Sequence, residues 1–302
     1  MSSPPEDLAG LRALAQGRPT ARLGVVAAED AVALEAAAAA LDAGIAQPTL
    51  YGDPVRLAAK APAGLLDRCT VVPAASGEEA AALAARDAGT GAVEILLKGA
   101  LRTDELLRAV LAPGAGLRTG RVLSDVLVCE DHLHGHPRLI GVTDGGVAIA
   151  PTLAAKREIV LNAVEVFHRL GFTRPRIAVM SATEVVTQSM PSTLDAQALT
   201  QEAARGELGE CEVFGPLALD NALLPSAAQA KGIESPVAGH ADCLVAPSIE
   251  AGNLLGKAFR FLRGGACGHV IVGAKVPVLI PSRVESTEDK LTSIALGVIA
   301  CG

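Results

Sequence analysis

Near the C-terminal end, Ser282-Arg283 and Asp289 stand around a strand-to-helix junction. A buried apolar run, Val276–Ile280, precedes them. A helix beginning near Ser286 follows, with Leu291, Ile294, Ala295 and Val298 on one face. Such a junction suits anion chemistry. Ligands of open α/β sheets bind outside the carboxyl ends of strands, and the next helix offers unpaired N–H groups and the positive end of its dipole. Arg283 adds a planar donor fork matched to phosphate oxygens. Ser282 can donate a hydrogen bond to a developing oxyanion. A structural reading competes: Ser286-x-x-Asp289 is a capping box, and Arg283 can pair with Glu285 on the surface.

Two other segments hold ligand-type residues. Asn253 follows Gly252 at an expected helix start, with Lys257 one turn later; an ordinary N-cap is the competing reading. In Cys129-Glu-Asp-His132-Leu-His134-Gly-His136, three histidines at period two would share one face of an extended chain and could hold zinc. Gly135 and Pro137 favour a polar hairpin tip instead, and no metal is expected.

These residues must be positioned by strands and helices that alternate from end to end. Arg22–Ala27 reads as a strand, Asp30–Ala43 as an Ala-rich helix closed by Gly44, and Pro48–Tyr51 as a second strand. Further apolar runs are Val93–Leu97, Val122–Val128, Ile177–Met180, Cys243–Ala246 and His269–Val272. A long helix is expected over Leu153–Leu170, behind the turn Thr143-Asp144-Gly145-Gly146. Strands that are apolar throughout, with helices between them, imply parallel crossovers and the α/β class. Pro and three glycines within 112–120 mark a hinge.

Composition excludes several functions. An acidic excess of 33 over 26 gives a charge of −7, and one Tyr, five Phe and no Trp leave little to stack on bases, so no nucleic acid is expected. No run of about 20 apolar residues exists, so no membrane span is expected. Without an apolar leader, and with six scattered cysteines and no CxxC pair, the protein reads as cytoplasmic with reduced thiols. There is no G-x-S-x-G and no G-x-G-x-x-G after the first strand. Gly268–Lys275 fails as a P-loop, because Ala274 separates Gly273 from Lys275.

Several blocks in order resemble the phosphate acetyl/butyryltransferases, also called phosphotransacetylases. They are Thr143-Asp-Gly-Gly146, Arg176-Ile-Ala-Val-Met-Ser181, Gly215-Pro-Leu-Ala-Leu-Asp-Asn221, Ser235-Pro-Val-Ala-Gly239, Pro247-Ser-Ile-Glu-Ala-Gly-Asn253 with Lys257, and Gly273-Ala-Lys275 through Ser282-Arg283. The block ending at Asn221 and the Ser-Ile-Ala-Leu ending look most like the butyryl branch, whereas the Asp at 289 is a mark of the acetyl branch. The resemblance implies reversible transfer of a short acyl group between coenzyme A and phosphate, both as substrates and with no cofactor.

It further implies a two-domain, three-layer αβα fold like that of isocitrate and isopropylmalate dehydrogenases. Residues 1–118 with 275–302 would form one domain and 119–274 the other, in a homodimer or larger homo-oligomer. The family's Ser-Arg pair falls on Ser282 and Arg283, and its Asp on Asp289. A further phosphate contact falls on Thr103 and Arg108, with a solvated helix face as the competing reading for Arg108. Asn253, Lys257 and Asp144 would border the substrate cleft or coenzyme A. In this scheme Arg283 holds phosphoryl oxygens, Ser282 steadies the oxyanion, and Asp289 takes the thiol proton or only orients the thiol. A free Asp, with a pKa of about 3.9, is a weak base for a thiol of about 8.5. A metal- and nicotinamide-dependent dehydrogenase, or a non-catalytic acyl-CoA sensor, are the other readings open to such a fold.

Overall fold

The computed structural model describes residues 3–262, 264–282 and 284–301; Arg283 lies outside the described residues. The chain divides into two compact units. A terminal unit holds Ala9–Arg121 and Ala266–Gly302, and a central unit holds Met1–Leu8 and Val122–Gly265.

The terminal unit runs α1 (Leu8–Gln16), β1 (Ala21–Val26), α2 (Ala31–Asp42), β2 (Ala46–Gly52), α3 (Pro54–Lys60), β3 (Thr70–Pro73), α4 (Gly77–Gly89), β4 (Ile95–Lys98) and α5 (Thr103–Val110). The central unit follows with β5 (Ser124–Asp131), β6 (Arg138–Thr143), α6 (Leu153–Arg169), β7 (Arg176–Met180), α7 (Pro191–Ala204), β8 (Glu212–Leu217), α8 (Leu219–Leu223), α9 (Pro225–Ala230), β9 (Cys243–Val245) and α10 (Ile249–Phe261). The chain then returns with β10 (Cys267–Val272), β11 (Val278–Leu279) and α11 (Thr287–Ala300).

In the terminal unit the strands lie in the order β3-β2-β1-β4-β11-β10, parallel except for the last pair. In the central unit the order is β5-β6-β9-β7-β8, again with one antiparallel pair, β5 with β6. The expectation of parallel crossovers throughout is therefore corrected at two places. The β5–β6 and β10–β11 connections are too short to carry a crossover, which needs a dozen or more residues. An apolar run reports burial and not strand direction.

The return to the terminal unit comes at Ala266, nine residues ahead of the expected boundary at 275. β10 pairs with β11 through Ile271 and Val278 and packs on α11. The hinge segment zips against the following turn: Lys275 N donates to Leu117 O at 2.9 Å, and Thr119 Oγ1 donates to Gly273 O.

Local chemistry explains the elements around the terminal sheet. Asp30 caps α2 by accepting from Ala33 N at 2.8 Å, and Gly44 takes a positive φ of 72° just past the helix. The buried alanines Ala33, Ala36, Ala37 and Ala40 let α2 lie close to the sheet and to α11. α11 is itself buried along almost its whole length. None of the six cysteines is joined in a disulfide. Among the described residues, no helix is long and apolar enough to cross a membrane.

Candidate active site

β1, β4 and β11 are parallel neighbours, so their carboxyl ends open on one edge of the terminal unit. Beyond β11 the chain passes buried Pro281 to half-buried Ser282. Glu285 N donates to Ser282 O at 3.1 Å, closing a tight turn that delivers Ser286 to the N-cap of α11. Glu285 also faces His269 on β10, with 3.5 Å between His269 Nε2 and Glu285 Oε1.

The expected capping box forms. Ser286 Oγ accepts from Asp289 N at 3.2 Å, and Asp289 Oδ2 accepts from Ser286 N at 2.8 Å and from Ser286 Oγ at 2.7 Å. The other oxygen, Oδ1, accepts from Cys267 N at 3.0 Å and ties α11 to the start of β10. Asp289 is 0% exposed.

Charged groups missed in the sequence gather at the same edge. Lys98, the last residue of β4, is 6% exposed, and Lys290 on α11 is 2% exposed. Lys290 Nζ lies 3.2 Å from Asp30 Oδ1 at the start of α2. Burial pushes the Asp30 carboxyl up, but the Ala33 N–H, then Lys290 and last Lys98 together hold it below its ordinary value. The available signal was a lysine closing the apolar run Ile95-Leu96-Leu97, followed by Gly99.

Thr103 is the first residue of α5, just past this edge. Arg108 lies in the last turn of α5, pairs with Asp104 at 3.3 Å, and keeps a side chain 74% exposed. Such an exposed pair contributes at most about 1 kcal/mol.

In the central unit Asp144 follows β6, and its carboxylate is committed to its own loop. Oδ1 accepts from Gly146 N and Val147 N at 2.7 and 2.9 Å, and Oδ2 accepts from Ala148 N at 3.0 Å. The loop presses on α10: a Cβ on Gly145 would stand 2.8 Å from the Gly252 carbonyl carbon. Asn253 Nδ2 donates to Gly145 O at 3.0 Å. Asn253 is not the N-cap that the sequence suggested. α10 begins after Ser248, and the two small residues Gly252 and Gly256 serve close packing rather than a helix break. Lys257 is exposed one turn on, 6.0 Å from the Phe261 ring.

Asp144 is buried beside Asp125; burial first, then that neighbouring charge, raise its pKa from 3.8 to about 6, against three backbone hydrogen bonds. The folded state thus holds the proton more tightly than the unfolded chain. Its contribution is fully present below pH 3.8 and is lost as the pH rises through 6, about 3 kcal/mol in all. Asp144→Asn removes this slope and adds a constant cost, because an amide N–H would face Ala148 N–H. Denaturant unfolding at pH 5 and pH 7.5 is expected to show the variant gaining on the wild type as pH rises. Parallel curves would remove Asp144 as the titrating group.

The histidine segment forms the tip of the β5–β6 hairpin. His132 pairs with Glu130 at 2.7 Å, and His134 Nε2 lies 2.8 Å from Leu223 O. The His134 ring sits 6.3 Å from that of His136 and 5.8 Å from that of His240. Among the described residues, no three His, Cys, Asp or Glu side chains form a metal-holding group.

The family model described as "Phosphate acetyl/butaryl transferase" matches residues 68–298, a span that takes in every candidate residue from Thr103 to Asp289. A phosphate acetyltransferase of Rhizobium meliloti is 40% identical over 272 residues, covering 89% of this chain and 85% of the relative. A phosphate butyryltransferase of Clostridium acetobutylicum is 38% identical over 284 residues, 93% of each chain. The crystal structure of a branched-chain phosphotransacylase from Enterococcus faecalis V583 superposes with a TM-score of 0.82 at 31% identity, covering 93% of this chain and 99% of that one.

Proposed function

The chain belongs to the phosphate acetyl/butyryltransferase family, acyltransferases that move a short acyl group reversibly between coenzyme A and inorganic phosphate, and we propose that Ser282, Arg283 and Asp289 divide that work here. The observation that carries the assignment of roles is the placement of Ser282, between the carboxyl end of β11 and the start of α11.

Arg283 holds the phosphoryl oxygens through its planar fork. Ser282 donates to the carbonyl oxygen as the coenzyme A sulfur attacks the acyl carbon of the acyl phosphate. The C–S bond forms, the bond from that carbon to the phosphate oxygen breaks, and the departing phosphate carries off the thiol proton. Holding both reactants in line can supply up to roughly 7–11 kcal/mol of the barrier. Asp289 acts as an orienting group. Its bonds to Ser286 and Cys267 fix the loop that carries Ser282, which supports this role over that of proton acceptor.

Thr103 at the start of α5 adds a phosphate contact, with Arg108 behind it in solvent. Asn253 and Lys257, exposed on α10, serve coenzyme A, and Asp144 shapes the loop beneath them. The units share the three-layer αβα plan of isocitrate and isopropylmalate dehydrogenases, a reading supported by helices packed on strands in each. Exposed Leu254, Phe261 and Leu262 at α10 support a homo-oligomer, and six cysteines outside any disulfide support a cytoplasmic site.

The acyl group is butyryl or acetyl; one methylene is worth only about 1–3 kcal/mol of discrimination. Thiol release from a series of acyl-CoA chain lengths, with and without phosphate, is the test. Phosphate-dependent release with a maximum at two or four carbons is expected. Folded protein that releases no coenzyme A with any chain length would overturn the reading.

A further inference from the structure

Glu285 is bound on both its backbone and its side chain, and both bonds bear on Ser282. Its N–H closes the turn on Ser282 O at 3.1 Å. Its carboxylate meets His269, with 3.5 Å between His269 Nε2 and Glu285 Oε1. β10 runs antiparallel to β11, with Ile271 paired to Val278. Two residues on in that register, His269 stands opposite Ile280, where β11 gives way to the Ser282 turn. The backbone of β10 is pinned there as well. His269 N donates to Ser293 Oγ at 2.9 Å, one turn along α11 from Asp289, whose Oδ1 accepts from Cys267 N at 3.0 Å. Ser293 Oγ in turn donates to Asp289 O at 3.0 Å. Alternate N–H groups of β10 thus dock on successive turns of α11, and the imidazole reaches Glu285 from a fixed base.

Stability alone does not call for this pair. Val270 and Ile271, the next residues of β10, are fully buried and apolar, and an apolar residue at 269 would continue them. The His269 and Glu285 side chains are only 22% and 10% exposed. Each gives up water, a cost that their attraction offsets only in good geometry. What such a pair supplies is a fixed position. Glu285 lies in the same turn as Ser282, so a carboxylate held from β10 restrains the backbone from which the Ser282 hydroxyl projects. Asp289 restrains that turn from α11, through Ser286.

We propose that His269 is a positioning residue for acyl transfer, holding the Ser282 turn through the Glu285 carboxylate. The inference rests on the acyltransfer reading and adds to it a residue that acts through Glu285 and not on the substrate. In His269→Leu the turn keeps its backbone bond and loses its side-chain anchor on β10. A hydroxyl displaced by about 1 Å is enough to slow a reaction by about 10²-fold.

Steady-state kinetics and amide exchange test it. His269→Leu is expected to lower kcat by about 10- to 100-fold, while the KM for phosphate and for acyl-CoA each stay within about 3-fold. Glu285→Gln should do the same. The double variant should be no slower than the slower single one, because both changes break one contact. Losses that multiply, or a kcat within about 3-fold of wild type in folded His269→Leu, would overturn the proposal. Exchange of the Glu285 amide, which reports the bond to Ser282 O, is independent of turnover. It should be faster by about 10-fold or more in His269→Leu, with the amides of β1 unchanged. A Glu285 amide that exchanges as in the wild type would overturn the proposal. Should His269→Leu fail to fold, Glu285→Gln carries the same expectations in kcat and exchange, and the same refutation. Wild-type protein that releases no coenzyme A would sink the acyltransfer reading, while the Glu285 amide would still score the hold of His269 on the turn.

Discussion

Asp289→Asn is expected to lose stability and turnover together. Among the described residues, Cys267 N–H, Ser286 N–H and Ser286 O–H donate to the carboxylate. An amide supplies one acceptor oxygen and turns an N–H toward the remaining donors. Each buried donor left without a partner costs about 1–3 kcal/mol, so a loss of about 2–4 kcal/mol is expected on denaturant unfolding. Turnover should fall because the turn from Ser282 to Ser286 loses its anchor. Ser286→Ala separates an orienting role from a proton-accepting one. It removes the cap, worth about 1 kcal/mol, and leaves the carboxylate in place. An orienting Asp289 predicts that Ser286→Ala reproduces part of the turnover loss. A proton-accepting Asp289 predicts an inactive Asp289→Asn and a Ser286→Ala that turns over like the wild type.

Ser282→Ala should do the opposite, reducing kcat by about 10²–10³-fold while stability moves by less than about 0.5 kcal/mol. The first figure is the usual effect of deleting one oxyanion donor. The second follows from the local bonding. The turn is closed through the Ser282 carbonyl, which accepts from Glu285 N and survives truncation of the side chain. The KM for phosphate should change little, since in the proposed scheme Arg283 carries that contact. Rates measured in both directions check this, because an oxyanion donor serves the forward and reverse reactions alike. A kcat within 3-fold of wild type would remove Ser282 from the chemistry.

Much of the frame was legible because its signals are local. β1, β7 and β9 hold the short apolar runs Leu23–Val26, Ile177–Met180 and Cys243–Val245, and α2 and α6 carry caps at Asp30 and Thr152 that bond to their own first turns. The strands that escaped notice are those whose local signals are mixed. β3 is a four-residue strand beside β2, with partly exposed side chains, so burial never shaped it. β8 contains Gly215-Pro216, which reads as a break, and β6 sits behind a polar tip. Gly252 before Asn253 suggests a helix start in the sequence. Gly252 is there because the Asp144 carbonyl approaches it too closely for any Cβ.

The sequence by itself determined the alternation of strands and helices, the Ser286–Asp289 capping box, and the ordered motifs that mark the family. All of these are written in residues a few positions apart, where periodicity and capping act. Only the tertiary structure decided what those residues have left to offer. It committed both oxygens of Asp289 to Ser286 and Cys267, and both of Asp144 to its own loop, which sits beside Asp125. It also gathered Asp30, Lys98 and Lys290 at one edge. Such encounters depend on which strands become neighbours in the sheet, and they fix charge and hydrogen bonding that no local pattern carries.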